Sequence, residues 1–253
     1  MRLALDIGNS RIKWGLRQQH QWIEHGTLPT AHWDGLGGLL EERQSVTEVW
    51  ACQVAGPAVA SGIAGCCASA GVPLHWIEAE LSAGGVTNRY ENPEQLGADR
   101  WAALVGARAT AAAPAVVVNA GTATTVDALG STGEFLGGMI LPGLTLMQQV
   151  LHQGTAALPA SPAGRFSPLP RNTADAIVTG AIAATAGAVE RALRNLQALE
   201  SSEVRILLSG GHADMLREHL GSPVTLVPHL VLEGIAHLME EDQTRSGCVP
   251  ARP

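Results

Sequence analysis

The chain has 253 residues, of which 46% are hydrophobic and 15% are charged. This composition supplies enough apolar material for a buried core and excludes global disorder. With 23 acidic and 16 basic residues, the formal net charge of −7 argues against a broad face for nucleic acid or anionic membranes. The four cysteines form no C-x-x-C pair, and neither a signal peptide nor an apolar run of about 18 residues is recognisable. We therefore expect a cytoplasmic protein without a disulfide framework or a zinc site.

Residues 1–113 are predicted to form an N-terminal α/β lobe. Apolar-rich and alternating runs predict three successive strands, and the turn Gly8–Ser10 joins the first two. Asn92 is a good N-cap for a later helix that has Pro93 at its first position. The predicted strands are Arg2–Gly8, Arg11–Arg17, His20–Gly26, Val46–Val54 and Pro73–Ala79, and the predicted helices are Ala31–Gln44, Pro57–Ala70 and Asn92–Ala112.

Pro114 is the predicted domain boundary, because the strand pattern restarts after it. Residues 114–253 are therefore assigned to a C-terminal lobe, with a polar, frayed tail from about residue 242. Four prolines in Thr155–Asn172 predict a long ordered loop or lid. The predicted strands are Ala115–Ala120, Thr122–Leu129, Glu134–Ile140, Val204–Ser209 and Val224–Val227, and the predicted helices are Pro142–His152, Asn172–Leu199, Gly211–Leu220 and Leu230–Glu241.

The two predicted lobes align with each other at a constant offset: Gly8 falls on Gly121 and Asn9 falls on Thr122. Each half begins strand–turn–strand–strand, which predicts two equivalent lobes whose glycine-containing turns face each other across one cleft. Because the identity between the halves is low, chance is the alternative explanation.

The first of these turns is suited to binding phosphate, because glycine and small polar residues let phosphate oxygens approach backbone N–H groups. Asp6, at the end of the first strand, can hold Mg²⁺, and Lys13, the only lysine, can screen phosphate charge. Ser209–Gly211 is a third glycine-rich segment, where a base or ribose can approach the backbone. Each pattern also fits an ordinary turn. Two copies of the glycine-containing turn, at equivalent places in the two halves, favour a phosphotransferase.

The stretch from Tyr90 to Arg100 has the pattern Y-x-x-P-x-x-L-G-x-D-R. Six further segments accompany it, namely Asp6–Ser10, Gly121–Thr125, Gly137–Gly143, Thr155–Pro159, Asn172–Thr173 and Ser209–Gly211. Together they resemble the motifs of type III pantothenate kinases, and those of the Bvg accessory factor group in particular. The resemblance covers nearly the whole chain up to about Glu241.

This resemblance implies the acetate and sugar kinase/Hsp70/actin fold, an α/β fold with two ribonuclease-H-like lobes around a nucleotide cleft. It also implies transfer of the γ-phosphate of ATP to pantothenate, which gives 4'-phosphopantothenate in the first step of coenzyme A biosynthesis. The implied partners are ATP, Mg²⁺, pantothenate and a second copy of the chain. Neither nucleic acid nor a membrane is among them.

The resemblance also implies roles for single residues. Asp99 is expected to be the general base, and Arg100 to bind the pantothenate carboxylate. The pantothenate pocket is expected to include Tyr90, Gly97, Ala98 and Thr173 of the partner subunit. Asp6 is the implied Mg²⁺-associated carboxylate. The implied nucleotide contacts are Gly8, Asn9, Ser10, Lys13, Gly121, Thr122 and Thr124 at the phosphates and Gly210 and Gly211 at the adenosine.

Asn119 departs from the family pattern, because many members carry an aspartate there that is linked to a monovalent cation. Asparagine supplies a neutral oxygen instead, which puts a requirement for K⁺ or NH₄⁺ in doubt.

Two other functions stay open for this sequence. One is a kinase of the same fold that acts on a sugar or another small alcohol. Arg100 argues against it, because a neutral sugar has no carboxylate that an arginine would have to bind. The other is a non-catalytic accessory or regulatory protein. Asp6 and Asp99 argue against it, because a protein that only binds needs no base. Without the resemblance, the adjacent Asp99 and Arg100 would be read as a solvated charge pair on a helix.

Overall fold

A computed structural model describes residues 1–110, 114–156, 158 and 163–247. The chain divides into two compact units. Unit 1 comprises Met1–Thr110 and the chain from Leu230 onward, and unit 2 comprises Ala111–His229. The sequence placed the boundary at Pro114 and all later residues in the second lobe. The structure differs from that assignment, since the last helix packs in unit 1.

The secondary structure follows an α/β order along the chain. The strands are β1 (Arg2–Ile7), β2 (Arg11–Gln18), β3 (Gln21–Pro29), β4 (Glu48–Gln53), β5 (Leu74–Trp76), β6 (Ser82–Ala83), β7 (Val86–Asn88), β8 (Ala115–Ala120), β9 (Ala123–Leu129), β10 (Glu134–Pro142), β11 (Arg205–Ser209) and β12 (Val224–Leu226). The α-helices are α1 (Gly35–Glu42), α2 (Pro57–Ser69), α3 (Ala98–Thr110), α4 (Leu144–Gly154), α5 (Thr173–Gln197), α6 (Ala213–Arg217) and α7 (Leu230–Gly247), with short 3₁₀-helices at Thr30–His32 and Pro93–Gln95.

The unit 1 sheet has the strand order β3-β2-β1-β4-β5. β1 pairs antiparallel with β2 and parallel with β4, and every residue of β1 is buried. A central strand that is covered on both faces reads as a continuous apolar run, which is why β1 is easily recognised in the sequence. One face of the sheet packs on α1 and α2, and α3 and α7 contact strands of the same sheet.

α3 and α7 cross closely because each helix has a glycine at the crossing. A Cβ on Gly106 would collide with the backbone of Leu230, and a Cβ on Gly234 would collide with the backbone of Ala102. This contact explains why α7 belongs to unit 1, although it is distant from α3 in the sequence. It also fixes the position of α3, whose first turn contains Asp99.

Unit 2 repeats the strand arrangement of unit 1. Its strands lie in the order β12-β11-β8-β9-β10, with β8 antiparallel to β9 and parallel to β11. β8, at residues 115–120, occupies positions 113 residues after β1, at residues 2–7. The order and the strand directions are therefore the same in both units, as the internal alignment predicted.

α5 is the one helix in the described part of the chain that is long and apolar enough to cross a membrane. It has a buried stripe that includes Ile182, Val189 and Leu196, and it contacts β8, β9 and α4. The core helix of a globular protein passes the same length and composition test, and this packing accounts for the apolar side chains of α5.

Several boundaries differ from the prediction. Asn92 does cap a turn, since its side chain accepts a hydrogen bond from the Glu94 N–H at 3.2 Å, but the turn is a 3₁₀-helix and α3 begins only at Ala98. The β6–β7 hairpin was not predicted, because its strands are only two and three residues long. α7 continues to Gly247, so the tail expected from about residue 242 is helical there. The remaining tail, the predicted helix end at 111–112 and loop residues 157 and 159–162 lie outside the described residues.

Candidate active site

Three polar side chains lie next to one another on the central strands of unit 1. The strand register pairs Asp6 on β1 with Lys13 on β2 and with Cys52 on β4. Lys13 Nζ lies 3.5 Å from Asp6 Oδ2, and Cys52 Sγ lies 3.9 Å from Asp6 Oδ1. Each carboxylate oxygen of Asp6 thus has a neighbour on a different strand, which fixes the orientation of the carboxylate.

Asp6 is a buried carboxylate in an unfavourable environment for its charge. Burial raises the pKa of Asp6, the Lys13 ammonium lowers it in part, and the charge of Asp99 raises it again. Burial together with the charges of Asp6 and Asp99 also raises the pKa of the Cys52 thiol well above its usual range. Cys52 is therefore a neutral donor at physiological pH, and the cationic neighbour of Asp6 is Lys13.

Asp99 occupies the first turn of α3, and its carboxylate acts on Asp6 through space. Its Oδ1 accepts a hydrogen bond of 2.8 Å from the Arg100 backbone N–H. A Cβ at position 97 would lie only 2.8 Å from the same oxygen, so a side chain there would require the Asp99 carboxylate to move. Burial raises the pKa of Asp99, although the Arg100 N–H and guanidinium act in the opposite direction. A carboxylate with a raised pKa is a better proton acceptor.

Arg100 follows Asp99 and is almost fully buried, at 4% exposure. Its Nη1 donates a hydrogen bond of 2.9 Å to the Tyr90 hydroxyl, and the guanidinium lies 5.5 Å from the centre of the Tyr90 ring. The Asn88 side chain fixes the segment around Tyr90, because it accepts from the Tyr90 N–H and donates to the Pro93 carbonyl. Two residues that lie ten positions apart in the sequence therefore form one cationic group beside Asp99.

The turn between β1 and β2 contains Gly8, Asn9 and Ser10. The Gly8 N–H donates to the Arg11 carbonyl at 3.1 Å and thereby closes the turn. Asn9 and Ser10 are exposed. The Gly8 N–H is therefore used within the turn and not for a ligand, and the residues that follow present the polar groups of the turn.

The equivalent turn of unit 2 lies between β8 and β9. The Gly121 N–H donates to the carbonyls of Ala123 and Asn119, at 3.0 and 3.2 Å. The Thr122 carbonyl accepts from the Gly143 N–H at 2.9 Å, just before α4. As in unit 1, the glycine N–H closes the turn.

The third glycine-rich segment packs on the same end of β8. Gly210 has a φ of 101°, and a Cβ there would collide with the Ala120 backbone, so only glycine fits without strain. The His212 N–H donates to the Ala120 carbonyl at 3.1 Å, and His212 Nε2 lies 3.2 Å from Thr145 Oγ1. The segments that contain Gly121, Gly143 and Gly210 therefore meet at the end of β8.

Polar atoms without partners mark this end of unit 2. Among the described residues, Asn119 Oδ1, Thr124 Oγ1 and His212 Nδ1 are buried and form no hydrogen bond within the protein. Buried polar groups usually have a partner in proteins, so such a concentration indicates atoms that meet a ligand, water or an ion.

Thr173 lies at the start of α5, whose N-cap Asn172 accepts a hydrogen bond of 2.9 Å from the Asp175 N–H. It also borders an apolar pocket of about 540 Å³ between α4 and α5, together with Pro142, Met147, Val150, Leu151, Leu158, Ala176, Ile177, Gly180 and Ala181. This pocket contains no other predicted site residue.

Unit 1 thus brings together Asp6, Lys13, Asp99, Arg100 and Tyr90, while unit 2 brings together Gly121, Gly210 and their neighbours. The sequence did not single out Cys52 or Thr30. Cys52 is one alternating residue of a buried strand, and the bonds of Thr30 to the first turn depend on tertiary contacts. In the described ranges, no group of three or more histidine, cysteine and carboxylate side chains could hold a metal ion by itself.

Solved structures with the same arrangement of strands and helices define the fold. A Campylobacter jejuni protein described as a Baf family transcriptional activator has a TM-score of 0.65 at 19% identity, covering 96% of this chain and 99% of its own. A Sinorhizobium meliloti protein described as a 2-dehydro-3-deoxygalactonokinase has a TM-score of 0.58 at 16% identity, covering 97% and 99%. At these identities the likeness shows the fold alone.

The chain is an α/β protein of the acetate and sugar kinase/Hsp70/actin fold, and its class is that of the phosphotransferases. The family model for type III pantothenate kinase matches residues 2–195. A type III pantothenate kinase from Aromatoleum aromaticum is 48% identical over 242 residues, which cover 96% of this chain and 99% of that relative. The chain belongs to the type III pantothenate kinase family, as the Tyr90–Arg100 pattern indicated.

Proposed function

We propose that this protein transfers the γ-phosphate of ATP to the primary hydroxyl of pantothenate in the cytoplasm. One observation carries this proposal beyond family membership: at the start of α3, a half-buried carboxylate with a raised pKa adjoins a buried guanidinium. Pantothenate has one primary hydroxyl to activate and one carboxylate to bind. A neutral sugar has no carboxylate for a guanidinium to bind, which disfavours the alternative of a kinase for neutral alcohols.

Asp99 accepts the proton of the attacking hydroxyl in this proposal. The hydrogen bond from the Arg100 N–H orients its carboxylate, and the raised pKa of Asp99 strengthens it as an acceptor. Phosphoryl transfer passes through a loose transition state, so orientation of the hydroxyl is at least as important as early deprotonation.

Arg100 binds the pantothenate carboxylate, because a guanidinium matches the geometry of a carboxylate. Tyr90 holds the guanidinium through its hydroxyl and its ring face. Gly97 and Ala98 complete the pocket wall directly before Asp99. Gly97 leaves room for the observed orientation of the Asp99 carboxylate, which a Cβ at that position would displace.

Asp6 suits a Mg²⁺ ion that is bound mainly through ATP. Its raised pKa shows that burial and Asp99 leave its negative charge incompletely balanced by Lys13, and a divalent cation would balance it. Mg²⁺ is usually held by one or two carboxylates plus phosphate oxygens, so no larger protein cluster is needed. When bound, the ion would neutralise charge on the phosphates. As the family resemblance implies, we assign phosphate contacts to Gly8, Asn9, Ser10 and Lys13 in unit 1 and to Gly121, Thr122 and Thr124 in unit 2. Contacts to the adenosine are assigned to Gly210 and Gly211.

Asn119 fits a weak site for a monovalent cation better than a tight one. Its Oδ1 and Thr124 Oγ1 are buried oxygens without protein partners among the described residues, so they suit an ion or a water. Both are neutral, and a carboxylate would offset the desolvation of K⁺ or NH₄⁺ more fully. We therefore assign a weak dependence on such cations.

The proposed assembly is a homodimer in which Thr173 of the partner subunit completes the pantothenate site. The pocket beside Thr173 is apolar, and Val150 and Leu151 on its rim are exposed, as is Ile140 nearby in the sequence on β10. Contiguous exposed apolar surface is typical of interfaces. Light scattering tests this assignment with Val150→Glu, which should weaken the dimer and lower activity. Leu199→Glu is the control, because Leu199 is exposed outside this pocket. A fully active monomer would contradict the assignment.

The substrate is tested with purified protein, ATP, Mg²⁺ and a panel of alcohols. Pantothenate should stimulate ADP release and yield 4'-phosphopantothenate by mass spectrometry, while glucose, glycerol and N-acetylglucosamine should not stimulate release. Equal stimulation by a neutral sugar would refute the proposal.

A further inference from the structure

Thr30 lies directly behind the turn that joins β1 to β2. It is the first residue after β3 and is only 6% exposed. Its hydroxyl donates a hydrogen bond of 2.7 Å to the Gly8 carbonyl, and its backbone N–H donates one of 3.1 Å to the Ser10 carbonyl. A single residue therefore holds both ends of the turn from one side.

These two bonds determine where the donors of the turn point. A peptide unit is planar and trans, so its C=O and its N–H point in opposite directions. Because the Gly8 carbonyl points at Thr30, the Asn9 N–H points away from Thr30. A turn can bind phosphate only if such N–H groups point outward together.

The internal repeat supports a role beyond holding the sheet together. β3 ends at Pro29 and β10 ends at Pro142, and the following residues are Thr30 and Gly143. Both residues donate their backbone N–H to a carbonyl of the neighbouring turn. Gly143 has no side chain, and a Cβ there would collide with that turn. A backbone bond from this position to the turn is thus present in both units, to Ser10 in unit 1 and to Thr122, one aligned position earlier, in unit 2. The hydroxyl bond of Thr30 is an addition in unit 1.

We infer that Thr30 is a positioning residue for nucleotide binding: its hydroxyl orients the Gly8–Asn9 peptide so that the Asn9 N–H can donate to a phosphate of a nucleoside triphosphate. This inference rests on the proposed use of the turn for ATP phosphates. Thr30 itself does not contact the ligand. Without its hydroxyl, the backbone bond to Ser10 keeps the turn in place, but the Gly8 carbonyl is free to rotate towards the ligand.

The test compares Thr30→Val, which keeps the shape but removes the hydroxyl, with Thr30→Ser, which restores it. Thr47→Val is the matched control, because Thr47 also bonds to a carbonyl, that of Met1, through its hydroxyl and its N–H, at the opposite end of β1. Loss of one buried hydrogen bond leads us to expect that Thr30→Val weakens MgADP binding roughly tenfold and raises the KM for ATP similarly. The KM for pantothenate should stay near the wild-type value.

Calorimetry without pantothenate gives the MgADP affinity independently of catalysis, and amide NMR follows the Asn9 N–H. In the wild type and in Thr30→Ser, MgADP should shift the Asn9 resonance, and in Thr30→Val that shift should be largely lost. Thr47→Val should lower the melting temperature no more than Thr30→Val does, because the Thr47 hydroxyl bond is exposed. Wild-type affinity in Thr30→Val, or equal loss in both valine variants, would overturn the inference alone. A wild-type protein that binds no MgADP would overturn the proposed function as well.

Discussion

Replacement of Asp99 by asparagine tests the chemical step most directly. In the wild type the Arg100 N–H donates to Asp99 Oδ1 at 2.8 Å. Asparagine keeps an oxygen that can accept this bond, so the start of α3 should not change. The proton acceptor is lost, and a positioned general base contributes about 10²–10⁴-fold to a rate. The loose transition state of phosphoryl transfer favours the lower half of that range. We therefore expect kcat to fall by about 10²–10³-fold, equivalent to about 2.7–4 kcal/mol of activation free energy.

The same substitution should not destabilise the protein at neutral pH. Because burial raises the pKa of Asp99, the folded state binds its proton more tightly than the unfolded chain does. The stability that Asp99 contributes is complete below its unfolded pKa and is lost as the pH rises through its folded pKa. Relative to wild type, Asp99→Asn should therefore gain melting temperature as the pH is raised from about 4 towards 7.

The assay is coupled ADP release at saturating ATP and Mg²⁺, with pantothenate varied, alongside thermal melting across pH. The KM for pantothenate should change little, because Arg100 and Tyr90 remain. Glu94→Gln serves as the control, since it removes an exposed carboxylate just before α3 and should leave kcat unchanged. If Asp99→Asn kept the wild-type kcat, Asp99 would not be the base. The Tyr90–Arg100 stretch would then have to be a binding surface only.

Four further substitutions test other parts of the site and the α3–α7 crossing. Arg100→Ala should mainly raise the KM for pantothenate, and Tyr90→Phe should do so more weakly, because it removes only the hydroxyl that Arg100 contacts; an unchanged KM in steady-state kinetics would contradict the carboxylate assignment. The wild type should depend weakly on K⁺ at constant ionic strength, and Asn119→Asp should strengthen that dependence; absolute dependence with tight binding in the wild type would show the reasoning to be wrong. Gly234→Ala should cost about 1–3 kcal/mol of stability, because its Cβ collides with the backbone of α3, and should lower kcat by displacing α3. Gly65→Ala, where the added Cβ meets nothing, should cost no stability, and equal melting temperatures for the two variants would refute the tight crossing.

Much of the fold was predictable because its signals are local. The buried strands β1 and β8 read as apolar runs, and the glycine turns after them are visible in the sequence. The offset between the halves correctly placed equivalent strands, and the Tyr90–Arg100 pattern correctly indicated the family. The assigned roles of single site residues stay predictions.

Other features were not predictable from local patterns. Asn92 and Pro93 signal a helix start, and the sequence does not show that the chain extends again at Leu96 before α3 begins. Nothing in the sequence of α7 indicates that this helix belongs to unit 1. That assignment follows from the Gly106–Gly234 crossing, which brings together residues more than a hundred positions apart.

The sequence by itself determined the strands, the turns and the residue types available for chemistry, because these depend on neighbours within a few positions. Only the tertiary structure decided the environment of those residues. Burial raises the pKa of both Asp6 and Asp99, and the charge of Asp99 raises that of Asp6 further. Thr30 reaches the Gly8 carbonyl from the end of another strand. Desolvation, charge interaction and hydrogen bonding all depend on distances in space, and the chain sets those distances only when it folds.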